Sequence, residues 1–364
     1  MIYTKFKISF LALIILCFQM PQKTLGQNYS KLANNLQKQI QQDFYLHSLN
    51  YYREFADSTA PDHKVSYLWS LCALWQADNE MEIIDPKKKY LKKDFTVIEK
   101  YNDNAPPAPG FDSYPAEFKK EDRYYDDNQW IGLTALDAYK RTNQQFYLNI
   151  GEKIYRFMMT GFDTVSGGGL YWKEGDRSTK NTCSNGPGII LALQLYQATH
   201  QKTYLDTALL LYRWMNKHLQ APSGLYYDNL KIASNTIAKY QFSYNTGTML
   251  QSNIYLYECS KQKKYLKEAN RIAEAALKYF YADSKFRDDY WFNAVLLRAY
   301  QQLLKYNPDT KYILAFKKCV DNAIENNVNK NGLMGKPKPL NLVAQGGMLE
   351  ILARLAWLQN KHYF

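Results

Sequence analysis

Apolar residues recur at helical spacing along most of the chain. From about Leu32 to the C-terminus they return every three or four positions, and short loops that carry Gly or Asn interrupt the pattern. This spacing is typical of amphipathic helices, and the alternation that marks strands is nearly absent. The hydrophobic pattern therefore predicts an all-α protein.

A loose internal repeat organises these helices. Four predicted helices open with a tyrosine followed by an aliphatic residue, at Tyr147, Tyr204, Tyr265 and Tyr312. The first three lie about 60 residues apart, which leaves room for two helices and two loops. Helical hairpins bury their apolar faces only against their neighbours, and open solenoids use shorter repeats of about 34 to 47 residues. The longer repeat favours a closed toroid of helical hairpins.

The first 26 residues have the layout of a secretory signal. Lys5 and Lys7 precede an apolar run at residues 8–18, and the small residues of the segment 24–26 precede Gln27. The run is shorter than the roughly 20 residues that a spanning helix needs. We therefore predict an exported mature protein, periplasmic or extracellular, without a membrane insertion.

No Pro- or Gly-rich linker divides the rest of the chain, and the full sequence of 364 residues has only 12 Pro and 17 Gly. The nearest candidate, residues 104–110, is interpreted as a surface loop because the helical pattern resumes directly after it. Residues 27–364 are therefore predicted to form one domain, and we expect a monomer.

Charge and cysteine usage exclude several classes of function. The formal charge of +12 falls to +9 without the three lysines of residues 1–26, but the lysine doublets are scattered and form no stripe, so no nucleic-acid partner is expected. Four cysteines remain, Cys72, Cys183, Cys259 and Cys319, without a C-x-x-C pair, and the histidines form no zinc motif. No metal or other cofactor is expected, and disulfide pairing among these cysteines stays open.

Two adjacent acids, Asp126 and Asp127, stand just before a helix predicted at residues 131–142. Asp126 with Gln129 fits a capping box, but only one of the two carboxylates can occupy a cap. Glycoside hydrolysis needs two carboxyl groups in different protonation states, and neighbouring acids push their pKa values apart. At a helix start we expect their oxygens about 5–6 Å apart, which is nearer the roughly 5–5.5 Å of retaining than the roughly 6.5–9.5 Å of inverting glycosidases.

Other polar and aromatic residues suit a sugar-binding cleft. The 32 tyrosines are suited to lining a wet cleft. Asn185 and Asn245 stand at predicted helix starts, where they can bind sugar hydroxyls or act as simple caps. The loop aromatics Trp172, Tyr227 and Trp291 are candidates for stacking on sugars or for the core, and Asp228 is a candidate hydroxyl ligand.

Four motifs together resemble glycoside hydrolase family 76, the endo-acting α-1,6-mannanases. In chain order they are Tyr125-Asp126-Asp127-Asn128-Gln129-Trp130, Gly168-Gly169-Leu170-Tyr171-Trp172, Lys180-Asn181-Thr182-Cys183-Ser184-Asn185-Gly186-Pro187 and Tyr244-Asn245-Thr246-Gly247-Thr248. The resemblance covers roughly residue 120 to the C-terminus, with weaker similarity before it. Any one motif is weak, whereas four in order are strong.

The resemblance implies an (α/α)6 barrel that hydrolyses the α-1,6-mannan backbone of fungal mannan with retention. Asp126 would be the nucleophile and Asp127 the acid that later activates water. The residues expected to bind substrate are Asn128, Trp172, Asn185, Asp228, Tyr244 and Asn245. Three alternatives stay open: a transglycosylase on the same glycan, a non-catalytic glycan-binding protein, and a helical toroid acting on another, uronate-containing polysaccharide.

Overall fold

The structure, a computed structural model, describes residues 27–56, 63–335 and 340–364. The predicted export signal at residues 1–26 lies outside the described residues. Within the described ranges twelve α-helices follow one another: α1 (Tyr29–Asp43), α2 (Leu68–Ile84), α3 (Tyr90–Ile98), α4 (Tyr125–Thr142), α5 (Gln145–Met159), α6 (Thr182–Thr199), α7 (Lys202–His218), α8 (Ser243–Ser260), α9 (Lys263–Phe280), α10 (Tyr290–Leu303), α11 (Lys311–Asn327) and α12 (Leu342–Asn360).

The six even-numbered helices form an inner ring. Each packs on the next, and α12 packs on α2, which closes the ring. These helices are buried on nearly all sides, whereas the odd-numbered helices are amphipathic and cover the ring from outside. The predicted all-α class and (α/α)6 barrel are therefore confirmed.

The repeated tyrosines open outer helices. Tyr147, Tyr204, Tyr265 and Tyr312 lie in the first turns of α5, α7, α9 and α11, and all four are buried. The side chain of each tyrosine anchors its outer helix to the inner layer of helices. The internal repeat in the sequence thus records the alternation of outer and inner helices.

The two ends of the barrel differ. Helices α4, α6 and α8 each end on a residue in the left-handed conformation, Asn143, His200 and Lys261, and the next outer helix begins two residues later. Such tight turns leave little chain at that end. The long connections lie at the opposite end, where the amino-terminal ends of the inner helices meet. This end has the chain length needed to build a site.

Short strands decorate that end: β1 (Tyr45–Leu46), β2 (Tyr51–Tyr52), β3 (Asn102–Asp103), β4 (Gly110–Phe111), β5 (Tyr171–Lys173), β6 (Asp176–Asn181), β7 (Asn229–Lys231), β8 (Thr236–Ala238), β9 (Tyr281–Ala282) and β10 (Lys285–Phe286). The strands β5 to β8 form one antiparallel sheet in chain order. The hydrophobic pattern misses this sheet because its strands are short and mostly polar.

Glycines allow the inner helices to approach closely. A Cβ at Gly347 of α12 would stand 2.5 Å from Trp291 Cα, and one at Gly247 of α8 would stand 2.9 Å from Leu296 Cα. Both neighbours are backbone atoms of α10, which cannot move aside without shifting that helix. The diameter of the ring therefore depends on these small residues.

We expect Gly347→Ala to lower the free energy of unfolding by about 1–3 kcal/mol, because overpacking against backbone strains the ring. Gly151→Ala in the outer helix α5 is the matched control. The three atoms nearest to its Cβ would belong to the Leu136 side chain and not to backbone. Urea denaturation of the two variants measures the difference, and equal stability would contradict the backbone argument.

Candidate active site

An open groove of about 750 Å³ lies at the amino-terminal end of the inner helices. Acids and aromatic rings make up much of its wall. The lining residues are Glu54, Tyr67, Trp69, Ser70, Ser113, Glu121, Tyr124, Asp126, Asp127, Trp130, Trp172, Asp176, Ser178, Thr179, Asn181, Cys183, Asp228, Asn229, Tyr244, Trp291 and Phe292.

The predicted acid pair lies in this groove. Asp126 and Asp127 occupy the first turn of α4, which begins after Tyr124, and both are half-buried. A helix amino terminus favours negative charge by about 0.3–1 kcal/mol. Neither acid is the N-cap residue, and the Gln129 amide is buried without a hydrogen-bond partner among the described residues. The capping-box interpretation of Asp126 and Gln129 is therefore wrong.

Asp126 receives several hydrogen bonds. The indole N–H of Trp172 donates to Asp126 Oδ2 at 3.1 Å, and the backbone N–H of Asp127 donates to Oδ1 at 3.0 Å. Burial raises the pKa of Asp126, while these donors and the Cys183 thiol act in the opposite direction. Hydrogen bonds to a carboxylate favour its charged form. Asp126 is thus the better placed of the two acids to be ionised.

Asp127 has the opposite environment. Burial, and secondly the negative charge of Asp126, raise the pKa of Asp127 well above its ordinary value. The Cys72 thiol donates to the backbone carbonyl of Asp127 at 3.3 Å, not to its carboxyl group. Asp127 is therefore the acid of the pair whose protonated form its surroundings favour more strongly.

A buried lysine fixes the segment that presents Trp172. Lys180 on β6 is fully buried, and its ammonium donates to Asp163 Oδ1 at 2.6 Å and to the carbonyls of Val165 at 2.8 Å and Gly168 at 2.7 Å. Lys180 also pairs with Tyr171 in the β5–β6 ladder, directly beside Trp172. The lysine thus joins the preceding loop to the strand that carries the indole.

Two predicted sugar ligands are not groove residues. Asn128 and Asn185 are fully buried, and each side-chain amide both donates to and accepts from one backbone residue of the preceding segment, Phe111 and Leu170 respectively. Gln345 pairs in the same way with Met334. The prediction that Asn128 and Asn185 bind sugar is corrected, because backbone groups already occupy their amides.

The remaining predicted ligands differ in whether they line the groove. Asp228 and Tyr244 line it, and burial raises the pKa of the Asp228 carboxyl. Asn245 is fully buried behind Asp228, where its amide favours the ionised aspartate, although it forms no hydrogen bond of ordinary geometry among the described residues. Tyr227 is not in the lining, whereas Trp291 is, almost fully buried. Asn245 therefore supports the wall from behind.

Sequence reasoning missed much of the groove wall. Trp69 on α2 is 38% exposed and packs edge to face on Trp291, while Glu54, Glu121 and Asp176 add carboxylates. Trp69 and Glu54 lie in the first third of the chain, where the motifs gave little signal. The one sequence feature that indicated this part of the wall was Trp69, a tryptophan at the start of a helix.

The four cysteines predicted to remain after export are all free thiols. Within residues 27–56, 63–335 and 340–364, no group of three or more His, Cys, Asp or Glu residues is arranged to hold a metal ion. In the same ranges no helix is both long and apolar enough to cross a membrane.

A helical barrel with two adjacent carboxyl groups in different hydrogen-bonding surroundings, both lining an open groove, has the arrangement of a carboxylate-dependent glycoside hydrolase. The chain belongs to glycosyl hydrolase family 76, whose family profile matches residues 28–333. The match begins well before residue 120, so the family likeness includes α1 to α3 as well as the motif-bearing part.

Curated relatives match over a shorter stretch. The chain is 28% identical over 172 residues to mannan endo-1,6-alpha-mannosidase DCW1 of Saccharomyces cerevisiae, which is 43% of this chain and 38% of that protein. It is 30% identical over 171 residues to DCW1 of Candida albicans, with the same coverage. The match thus spans less than half the length of either relative.

Solved structures match over nearly the whole chain. A family 76 glycoside hydrolase (mannosidase) from Bacteroides thetaiotaomicron is 25% identical with a TM-score of 0.83, covering 92% of this chain and 100% of that one. The GH76A alpha-1,6-mannanase from Salegentibacter sp. is 22% identical with a TM-score of 0.78, covering 91% and 99%. At that identity the second likeness shows the fold alone.

We expect Trp172→Phe to move the acidic limb of the kcat/KM profile to higher pH. The variant keeps an aromatic ring but loses the N–H that favours ionised Asp126, so the pKa of Asp126 rises. A hydrogen bond to a charged group contributes about 1.5–3 kcal/mol, so kcat/KM falls about ten-fold or more. Trp69→Phe is the control, since Trp69 donates nothing to Asp126, and it should leave the limb in place.

We expect Lys180→Met to reproduce this effect from a distance, since the loop loses its anchor and Trp172 its position. The free energy of unfolding falls by about 2–4 kcal/mol because Asp163 and two carbonyls lose their buried donor. The acidic limb moves as in Trp172→Phe, and the double variant moves it no further. Lys173→Met, which removes an ion pair with Asp122 outside the groove, is the control. If the shift of the acidic limb in the double variant were the sum of the two single shifts, Lys180 would not act through Trp172.

Proposed function

We propose that the protein is a retaining endo-α-1,6-mannanase that cleaves within the backbone of fungal mannan. The observation that carries the proposal is the inequality of the two adjacent acids. Asp126, hydrogen-bonded by Trp172, suits a nucleophile, and Asp127, with its raised pKa, suits a general acid. The curated relatives bear names of mannan endo-1,6-alpha-mannosidases, which supports this choice of linkage.

The reaction would proceed in two displacements. Ionised Asp126 attacks the anomeric carbon while Asp127 gives its proton to the leaving oxygen, which forms a mannosyl-enzyme ester and releases the shortened chain. The Asp127 carboxylate then takes a proton from water, the water oxygen attacks the anomeric carbon, and Asp126 is released. The configuration at that carbon is inverted twice and so retained.

The open groove supports cleavage inside a chain. Trp172 precedes α6, while Trp69 and Phe292 belong to α2 and α10, so exposed aromatic surfaces lie on both sides of α4 in the ring. Aromatic faces stack on the apolar faces of sugars. The groove can therefore bind a segment of the mannan backbone on either side of the acid pair.

The export signal predicted at residues 1–26 fits this role, since it would bring the enzyme to a polysaccharide outside the cytoplasm. Transfer of the mannosyl group to a sugar instead of water would use the same acids. Analysis of the products at high acceptor concentration separates transfer from hydrolysis.

We expect Asp126→Asn and Asp127→Asn each to lower the hydrolysis of unbranched α-1,6-mannan by about 10²–10⁴-fold or more. Neither variant should be less stable at pH 7, because each removes a carboxyl group that burial disfavours. The leaving group of an activated aryl mannoside needs no proton. With this substrate the mannosyl-enzyme ester should therefore form in Asp127→Asn but not in Asp126→Asn. Proton NMR of the first product should show the α-anomer.

The control is Asp122→Asn, which changes a neighbouring acid that pairs with Lys173 outside the groove. It should hydrolyse mannan at nearly the rate of the unmodified protein. Wild-type rates in either Asp126→Asn or Asp127→Asn would refute the assignment, and a β-anomeric first product would refute the retaining mechanism.

A further inference from the structure

The groove is acidic although the chain is basic. The whole sequence carries a formal charge of +12, yet no lysine or arginine belongs to the groove lining that the structure describes. The acidic residues of the lining are Glu54, Glu121, Asp126, Asp127, Asp176 and Asp228. The sign of the groove is thus opposite to that of the molecule, and two of these acids suffice for the proposed chemistry.

The strand β6 shows how this separation is built. Successive side chains of a strand point to opposite faces. Asp176 and Ser178 line the groove, whereas Arg177 between them is 78% exposed, with its nearest acid, Asp163, at 3.9 Å. Lys180 turns inward to the preceding loop instead of toward the substrate. The pleat therefore separates Arg177 from Asp176 and Ser178, while Lys180 is kept from the groove by its hydrogen bonds to the preceding loop.

Basic residues near the rim are paired with acids. Lys173 binds Asp122 at 2.8 Å, and Lys119 binds Glu121 at 2.6 Å, so Glu121 is partly neutralised at the rim. Asp126, Asp176 and Asp228 form no ion pair with a lysine or arginine among the described residues. Hydrogen bonds from Ser178 lower the pKa of Asp176, so this carboxylate is ionised.

The fold itself stabilises these negative charges. The amino-terminal ends of the inner helices converge on the groove, and each such end carries a partial positive charge that falls off within a turn. Carboxylates at the groove floor are therefore favoured without bound cations. The field that reaches a substrate in the groove remains the field of ionised acids.

We propose that this groove selects uncharged α-1,6-mannan and rejects segments that carry phosphate or another anionic substituent. The inference rests on the proposed function and adds a criterion of charge to it. It also disfavours the uronate-containing polysaccharide that the sequence left open as a substrate. The basic outer surface can still attract an anionic glycan, but productive binding is restricted to its neutral segments.

The repulsion is electrostatic and therefore depends on salt. A phosphate monoester carries about −1.5 to −2 charges at pH 7. Against two or three ionised acids at about 8 Å, we expect about a ten-fold loss of kcat/KM at low ionic strength. The Debye length shortens to a few ångströms near 1 M salt, so the loss becomes smaller as salt is added.

The test compares three substrates of equal length. They are α-1,6-mannotetraose, the same tetraose with a phosphate monoester on O6 of its non-reducing mannose, and the neutral dimethyl ester of that phosphate. We expect the monoester to be cleaved about ten-fold more slowly than the dimethyl ester at about 20 mM salt, and the two rates to converge near 0.5 M. Equal rates, or a difference that salt does not change, would overturn the proposal.

Matched variants place the effect in the groove. Asp176→Asn keeps the oxygen that accepts the Ser178 N–H at 2.8 Å, and Glu121→Gln keeps the shape of that side chain. The double variant E121Q/D176N should narrow the ratio of the monoester rate to the dimethyl-ester rate about three-fold. This ratio is measured within one variant, so a change in the rate on neutral mannotetraose does not enter it. The control D122N/D206N removes the same charge at two acids outside the groove, which pair with Lys173 and with Lys202 of α7, and should leave the ratio unchanged. An equal effect of both pairs would mean that net charge, not the groove, discriminates.

Failure of the proposed function would be visible separately, as absence of cleavage of neutral mannotetraose by the wild-type protein. The charge criterion is then measured by binding to Asp127→Asn, which replaces a protonated carboxyl by a neutral amide and so preserves the charge of the groove. Weaker binding of the monoester than of the dimethyl ester supports the inference, and equal affinity overturns it.

Discussion

The chemistry of this protein depends on keeping two neighbouring carboxyl groups in different protonation states. Asp126 and Asp127 are adjacent, half-buried and at the same helix end, so burial raises the pKa of both. The difference between them comes from hydrogen bonding. The indole of Trp172 donates to Asp126, whereas burial and the charge of Asp126 raise the pKa of Asp127. One indole N–H therefore helps to separate a nucleophile from an acid.

That N–H is held in place by several layers of structure. Lys180 joins the loop at residues 163–168 to the sheet that carries Trp172. The Asn185 amide forms two hydrogen bonds with the backbone of Leu170, two residues before Trp172. Behind them, close glycine contacts set the spacing of the inner helices on which both the acids and the sheet rest. A substitution far from the groove can therefore act on catalysis through the position of one ring.

The barrel also gives the groove its charge. Because all inner helices direct their amino-terminal ends to one pole, acids are tolerated there and basic residues are not needed to balance them. The sorting of Asp176 from Arg177 along β6 extends the same separation to the rim. Catalysis and the inferred selection of neutral glycans would thus share one electrostatic origin.

The sequence by itself determined what is local. Helical periodicity, the tyrosine repeat and the four motifs predicted the helical barrel and the family, and the acid pair was evident because both acids are neighbours in the chain. The tertiary structure decided what depends on distant segments. It places Trp69 and Asp176 in the groove and buries Asn128 in hydrogen bonds with the backbone. It also raises the pKa of Asp127 well above its ordinary value. Burial, and hydrogen bonds between residues far apart in the chain, cause each of these outcomes, and neither is encoded in a short stretch of sequence.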